Sequence, residues 1–349
     1  MFVSFGFRFR AEAEALNMAE AIGNYTRHRL APIIKLKKNE AGELVGYRVT
    51  MAPAVSGQSI AYGYMKALAE LARRVGLPLC NQCRNYEQYG GFFKRADDLS
   101  LTHDTRVETC VVEDVTGFMV AKKAGDEERG RGGRKRGEKE EGEGGEERGI
   151  SIRRTSTVMF SYLVPDGVGV IAPQIHVRYN RVDPNQQTPF QIESGTAVYI
   201  HGVAVDVDRI GLRENGIYVS DRLKRVELAF DALKRLYSGL LLGAKKSRYL
   251  PVFEALGGVA AVSRDLPFMV SPPRFGDYVA ETARRAAVVS DGIKLFCFDR
   301  EGITSCGNIR REEAYYIGGN WVVVGKVTAV ATLEELVEAV KGEVLAVLR

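Results

Sequence analysis

The sequence is poor in the residues and motifs on which many enzyme classes rest. Its 349 residues include only four histidines, five cysteines and one tryptophan. It has no Gly-x-Ser-x-Gly elbow, no phosphate loop ending in Lys-Ser/Thr, no His-Glu-x-x-His pair and no strand-borne Gly-x-Gly-x-x-Gly, so the hydrolase, nucleotidase, zinc-protease and dinucleotide classes have no support. No run of about 18 apolar residues occurs, which argues against a spanning helix and a membrane partner. Met1 to Arg8 lack the basic region, apolar stretch and cleavage site of a secretory leader, so a cytoplasmic protein is expected. Five cysteines in so long a chain do not make a small disulfide scaffold.

The composition is that of an ordinary globular protein, with 45% apolar and 27% charged residues. The length suggests about two domains, or one core with large insertions. The net charge of +5 is mild. Residues 121–149 contribute nothing to it, because nine cations there balance nine anions among nine glycines. With nothing larger than Ala to bury, this segment reads as a disordered insertion at a hairpin tip. It is either a solvated loop or a mobile arm that touches nucleic acid.

Val3, Phe5, Phe7, Phe9, Ala11 and Ala13 alternate with polar or small residues, which predicts a half-buried strand. Leu16 to Asn24 reads as a turn or short helix. Thr26 to Lys38 is the densest basic stretch outside the insertion, with Arg27, His28, Arg29, Lys35, Lys37 and Lys38. Ser56 caps a predicted helix whose Ile60, Tyr64, Leu68, Leu71 and Val75 share one face, ended by Gly76-Leu77-Pro78. Gly57 beside the cap would let backbone approach a ligand, and free N–H groups there suit a phosphate; a plain capped helix is the alternative.

Val111 to Val120 has strand character. Ser151 to Val164 alternates, so the two strands flanking the charged insertion predict a long hairpin. Further strands are expected at Ile171 to Tyr179, Thr196 to Val207, Leu250 to Val262 and around Trp321 within Ile317 to Ala329. Helices are expected after a Ser220 cap, over Asp277 to Val289 and over Leu333 to Val347, with Pro267 to Pro273 as a linker. This order fits an α+β fold: an antiparallel sheet of RRM-like (ferredoxin-like) type with helices on one face and large insertions. Residues 1–120 and 150–262 would form a discontinuous palm with an inserted helical segment near 60–110. Residues 263–349 would complete the sheet and helices.

Cys80-Asn81-Gln82-Cys83 can present two thiols to a metal, and His103 and Cys110 could complete four zinc ligands. The alternatives are small buried residues or, in a hyperthermophile, a disulfide. His201 reads as a satisfied core or edge residue. His28 and His176 lie among cations, which lowers a histidine pKa; they could serve as acid and base in RNA cleavage. Asp97-Asp98 and Asp206/Asp208 could hold Mg²⁺ but are commoner as turn and cap residues.

Five stretches in order resemble the archaeal CRISPR-associated autoregulator (DevR) family. They are Ala15-Leu16-Asn17-Met18 to Asn24 with Thr26, His28 and Arg29; Ser56-Gly57-Gln58-Ser59-Ile60-Ala61-Tyr62; Cys110-Val111-Val112-Glu113-Asp114-Val115-Thr116-Gly117-Phe118; Arg154-Thr155-Ser156 with Pro173 to Tyr179; and Gly243-Ala244-Lys245-Lys246-Ser247-Arg248-Tyr249-Leu250-Pro251. The resemblance implies the backbone subunit of a type I Cascade complex, closest to type I-A with type I-D as a relative. Its copies would line up along CRISPR RNA beside other Cascade subunits, leaving the bases free to pair with target DNA. The chain would not be an enzyme. The insertion at 121–149 is longer than that pattern leads one to expect, and the CxxC pair is not part of it.

A scaffold that accepts any guide must read phosphate and 2′-OH rather than base edges. The residues suited to that are Asn24, His28, Arg29, Lys37, Ser56, Gly57, Gln58, Ser59, Arg154, His176, Arg178, Lys245, Lys246 and Arg248. Two other readings remain: an RNA-cleaving relative that uses an acidic residue, and a zinc-containing RNA-binding module acting alone.

Overall fold

The computed structural model describes residues 1–89, 91–95, 98–121, 151–179, 182–183, 186–290, 292–308, 313–317, 320–324 and 327–349. The first strand, β1 (Phe2–Glu14), follows the predicted alternation as far as Ala11; beyond it a bulge leaves Ala13 exposed at φ +53° and buries Glu14. Val3, Phe5, Phe7 and Phe9 are fully buried on one face. The strand is not half-buried, however, because Ser4 and Arg8 on the other face are buried as well. They are covered by the segment that the sequence suggested was a linker. The Ser4 hydroxyl donates to Phe268 O at 2.8 Å, and Arg8 donates to Pro273 O at 2.9 Å. Phe268 and Val270 are buried there.

Leu16 to Asn24 is neither turn nor helix throughout. β2 (Met18–Ile22) and β3 (Tyr25–His28) form a hairpin, turned by Gly23 at φ +58°. β4 (Leu30–Lys38) and β5 (Leu44–Pro53) form a second hairpin. α1 (Gly57–Val75) begins and ends where the sequence predicts. The Ser59 N–H donates to Ser56 Oγ at 3.2 Å, and Gly76 closes the helix at φ +72°.

The short helices α2 (Asn81–Arg84), α3 (His103–Thr109) and α4 (Val111–Thr116) follow. α4 stands where strand was expected. Val111, Val112 and Val115 pack into the core while Glu113 and Asp114 enter buried ion pairs, so tertiary contacts override a β-branched preference. Strand begins only after Gly117, with β6 (Phe118–Ala121). It pairs with β7 (Ser151–Arg154), placing Phe118 opposite Arg154 and Ala121 opposite Ser151. The charged stretch between them lies, beyond Ala121, outside the described residues.

β8 (Val158–Phe160), β9 (Val164–Arg178) and β10 (Thr188–Asp206) come next, the last two longer than the sequence suggests. α5 (Arg222–Ser238) starts after Asp221, one residue beyond the predicted cap. The chain continues through β11 (Val252–Ser263), α6 (Tyr278–Val289), β12 (Ile293–Asp299), β13 (Glu313–Ile317), β14 (Asn320–Val324), β15 (Val327–Ala329) and α7 (Leu333–Leu348). Cys297 and Cys306 form a disulfide.

The architecture is α+β. β1 lies at the centre, antiparallel to β10 and β11, with Phe5 opposite both Val203 and Ala260. β8 pairs antiparallel with β10, giving a spatial order β11-β1-β10-β8. β12 extends the sheet beyond β11, and β9 pairs with β10 over most of its length. One face of the sheet is covered by α1, α5 and α7. Phe5 meets Phe230 at 6.5 Å between ring centroids, Phe7 meets Tyr237 at 5.3 Å, and the Tyr64 hydroxyl donates to Ala229 O at 3.0 Å. No helix among the described residues is long and apolar enough to cross a membrane.

Candidate nucleic-acid interface

The corner Ala15–Asn17, between β1 and β2, is where separate parts of the chain meet. Asn17 Oδ1 accepts the Ser56 N–H at 2.7 Å, and Asn17 O accepts the Arg29 N–H at 2.8 Å. Leu16 O accepts the Ala244 N–H at 2.9 Å. A Cβ on Gly243 (φ +87°) would come within 2.5 Å of Leu16, so only glycine lets this turn seat against the corner. Three stretches far apart in sequence are thereby assembled: the Arg29 strand end, the α1 N-terminus and the Gly243–Tyr249 turn.

The turn joins β9 as well. His176 Nε2 and the Tyr249 hydroxyl share a hydrogen bond at 2.5 Å, and the His176 ring stacks on Phe190 at 5.2 Å. Lys245 and Arg248 are exposed, and Lys246 is half-buried with its ammonium donating to Leu240 O. Burial, and then the nearby charge of Lys66 on α1, lower the Lys246 pKa. Among the described residues no carboxylate pairs with Lys66, Lys245, Lys246 or Arg248. Two like charges held close without an anion form a site that gains from binding one.

At the α1 N-terminus a cavity of about 380 Å³ is lined by Gly57, Gln58, Phe92, Lys94, Thr155 and Ser156, among others. Gly57 has a packing reason of its own: a Cβ there would lie 2.5 Å from Phe160 O. Ser56 is buried and engaged as the cap, whereas Gln58 is exposed and Ser59 half-buried. Asn24 is exposed at the β2–β3 turn, its carbonyl accepting the Gln191 N–H. Arg178 and Lys37 are exposed on the β9–β10 and β4–β5 hairpins, away from the corner. A larger cavity of about 430 Å³ opens across Gly6, Gly202 and Pro272–Arg274 and holds none of the residues chosen from sequence.

Two of the chosen residues face inward. Arg154 donates to Asp114 Oδ1 at 2.6 Å and to the carbonyls of Asp114 and Leu212, each at 2.8 Å. Arg153, its neighbour on the same strand, is exposed, as period-two alternation requires. His28 is buried with Nε2 2.7 Å from Glu14 Oε1, which also accepts from the Tyr199 hydroxyl at 2.7 Å. Burial works against its charge. The Glu14 hydrogen bond and charge, with Arg29 O, prevail and raise the His28 pKa, opposite to the lowering anticipated from neighbouring cations. His201 is a core residue, as anticipated: it hydrogen-bonds the Tyr237 hydroxyl at 2.9 Å, and burial lowers its pKa to about 3.

Cys80, Cys83 and Cys110 come together, their sulfurs all within 4.8 Å of one another. His103 does not join them. Its ring packs on Phe118, and it groups with Asp104 and Glu214 instead. Sequence reasoning did not choose Asn17, Lys66, Lys94 and Tyr249 as site residues, although Asn17 and Tyr249 lie in the stretches that resemble the family and Lys94 lies beside Arg95.

Comparison with known proteins gives the family and the fold. The profile of the family described as "CRISPR-associated negative auto-regulator DevR/Csa2" matches residues 5–283. The chain is 30% identical over 356 residues to the CRISPR-associated aCascade subunit Cas7/Csa2 2 of Saccharolobus solfataricus, covering 98% of this chain and 100% of that one. A second protein of that organism, CRISPR-associated protein Cas7/Csa2 1, is 32% identical across 79% of this chain and 83% of its own. Among solved structures, a chain of a CRISPR RNA-guided surveillance complex shares the fold, with a TM-score of 0.53 over 99% of this chain and 100% of that one at 12% identity. The corner, the capped α1 and the Gly243–Tyr249 turn all lie within the matched residues, and the chain belongs to the CRISPR-associated DevR/Csa2 family.

Proposed function

We propose that this chain is the CRISPR RNA-binding backbone subunit of an archaeal type I-A Cascade complex. It holds the guide by phosphate and 2′-OH and leaves the bases to pair with target DNA. The observation that carries the reading is the Gly243–Tyr249 turn, whose Lys245, Lys246 and Arg248 have no carboxylate partner among the described residues and which the Leu16–Asn17 corner joins to the α1 N-terminus. Cations and helix N–H groups recognise a phosphate chain without regard to sequence. The relatives' names, which place them in CRISPR defence, support the same assignment.

The core is RRM-like on this reading. Its units run β1-α1-β8-β10-α5-β11 in the chain and β11-β1-β10-β8 in space, the order of a ferredoxin-like sheet. The protein acts as a scaffold, not a nuclease, and associates with further copies and with other Cascade subunits. Ile34, Leu36, Tyr47 and Val49 stand exposed on the β4–β5 hairpin, an apolar surface of the kind that neighbouring chains cover.

The test is size exclusion of the purified chain with unrelated single-stranded RNAs at low and high salt, with RNA integrity followed in the same fractions. Sequence-independent, salt-sensitive large assemblies with intact RNA are expected. A discrete monomer that cuts RNA, or binds none, overturns the assignment.

A further inference from the structure

Cys80 is the N-cap of α2, and its Sγ accepts the Cys83 N–H at 3.4 Å. This turn aims both sulfurs of the CxxC pair to one side. Cys110 arrives from the junction of α3 and α4, which is pinned to the loop before Cys80 by the Val111 N–H donating to Pro78 O at 2.9 Å. All three thiols are buried, none is disulfide-bonded, and their sulfurs lie within 4.8 Å of one another. A tetrahedral zinc with Zn–S near 2.3 Å holds its sulfurs about 3.8 Å apart, so small side-chain adjustments suffice.

The surroundings carry the complementary charge. Lys94 is half-buried within electrostatic reach of Cys83 and Cys110, its ammonium donating to Thr116 O at 2.9 Å and Gly117 O at 2.5 Å. Glu113 is already engaged by Arg95 and Arg106. Arg95 is also within electrostatic reach of Cys80 and Cys110. Three thiolates and one Zn²⁺ carry a net charge of −1, which the Lys94 ammonium balances.

We propose that Cys80, Cys83 and Cys110 bind one zinc ion through three thiolates, leaving the fourth position to a ligand from outside this trio. Each thiol yields its proton to solvent as its sulfur takes the metal, so affinity weakens in acid. The metal joins the loop after α1 to the α3–α4 junction and fixes the wall that carries Lys94 into the α1 cavity. The assignment does not rest on RNA binding, and its readout is separate.

The experiment is metal analysis of the full reduced chain purified without chelator, together with chain produced in medium carrying Co²⁺ in place of Zn²⁺. About one zinc per chain is expected, with a thiolate-to-cobalt charge-transfer band whose intensity corresponds to three sulfurs. Cys110→Ser should bind metal at least roughly tenfold more weakly, as loss of one ligand entails, while the Cys297→Ser/Cys306→Ser double variant should keep it. If Cys110→Ser does not fold, the wild-type cobalt band still counts the sulfurs. Folded wild-type chain with less than about a tenth of an equivalent of metal and no charge-transfer band overturns the proposal. So does a disulfide among the three cysteines.

Discussion

Two basic regions of this molecule use their charge in opposite ways. Around α4, Asp114 is fully buried between Arg154 and Arg225, and Glu113 between Arg95 and Arg106. Desolvation raises the Asp114 pKa against the pull of both guanidinium groups. At the Gly243–Tyr249 turn, Lys245 and Arg248 are exposed and Lys246 stands near Lys66. Both regions lie in stretches by which the sequence resembles its family. The difference teaches that a motif arginine is available to a ligand only when no buried carboxylate already holds it.

The comparison is broken most severely at the buried node. Asp114→Ala leaves two guanidinium groups buried without their anion and should cost about 3–5 kcal/mol, read by chemical denaturation. Next in size is the Glu14–His28 pair, a second inward-facing charge. Removing its imidazole by His28→Gln should cost about 2 kcal/mol.

The pair also sets a pH dependence. Glu14 is lowered from 4.5, so its contribution is present above that value and lost as pH falls through the folded pKa. His28 is raised from 6.5, so its contribution is full below that value and lost as pH rises through the folded pKa. Stability from the pair is therefore greatest between the two ordinary values, and His28→Gln should flatten the decline on the alkaline side. An unchanged alkaline limb in thermal melts would sink this account.

The exposed region should show the reverse pattern. Lys245→Glu with Arg248→Glu should leave the melting temperature nearly unchanged, weaken single-stranded RNA binding by about tenfold or more at low salt and flatten its salt dependence. The smallest effect sharpens the contrast within one strand. Arg153→Ala should change stability by no more than about 0.5 kcal/mol, because its neighbour Arg154 occupies the inward face. A large loss at Arg153 would place the β6–β7 hairpin differently.

Much of the fold was legible because it rests on local periodicity. The Val3–Ala11 alternation, the Ser56 cap with its helical face, and the helix starts at Asp277 and Leu333 each lie in a few adjacent residues. The failures have physical causes. α4 was read as strand because its three valines favour β structure, whereas buried pairing of Glu113 and Asp114 decided for helix. The Pro267–Pro273 segment looked like a linker because proline breaks periodicity, yet its carbonyls receive Ser4 and Arg8.

The candidate site divides along the same line. The sequence by itself determined which residue types were present: a capped helix, a Gly-led cationic turn, a CxxC pair. Only the tertiary structure decided which of them meet. Arg154 and His28 found carboxylates more than ten residues away and turned inward. Lys246 found another cation, and Cys110 joined Cys80 and Cys83 while His103 did not. Charge and thiol chemistry depend on the neighbour within a few ångströms, and for these side chains the neighbour is set by chain topology, which no local pattern encodes.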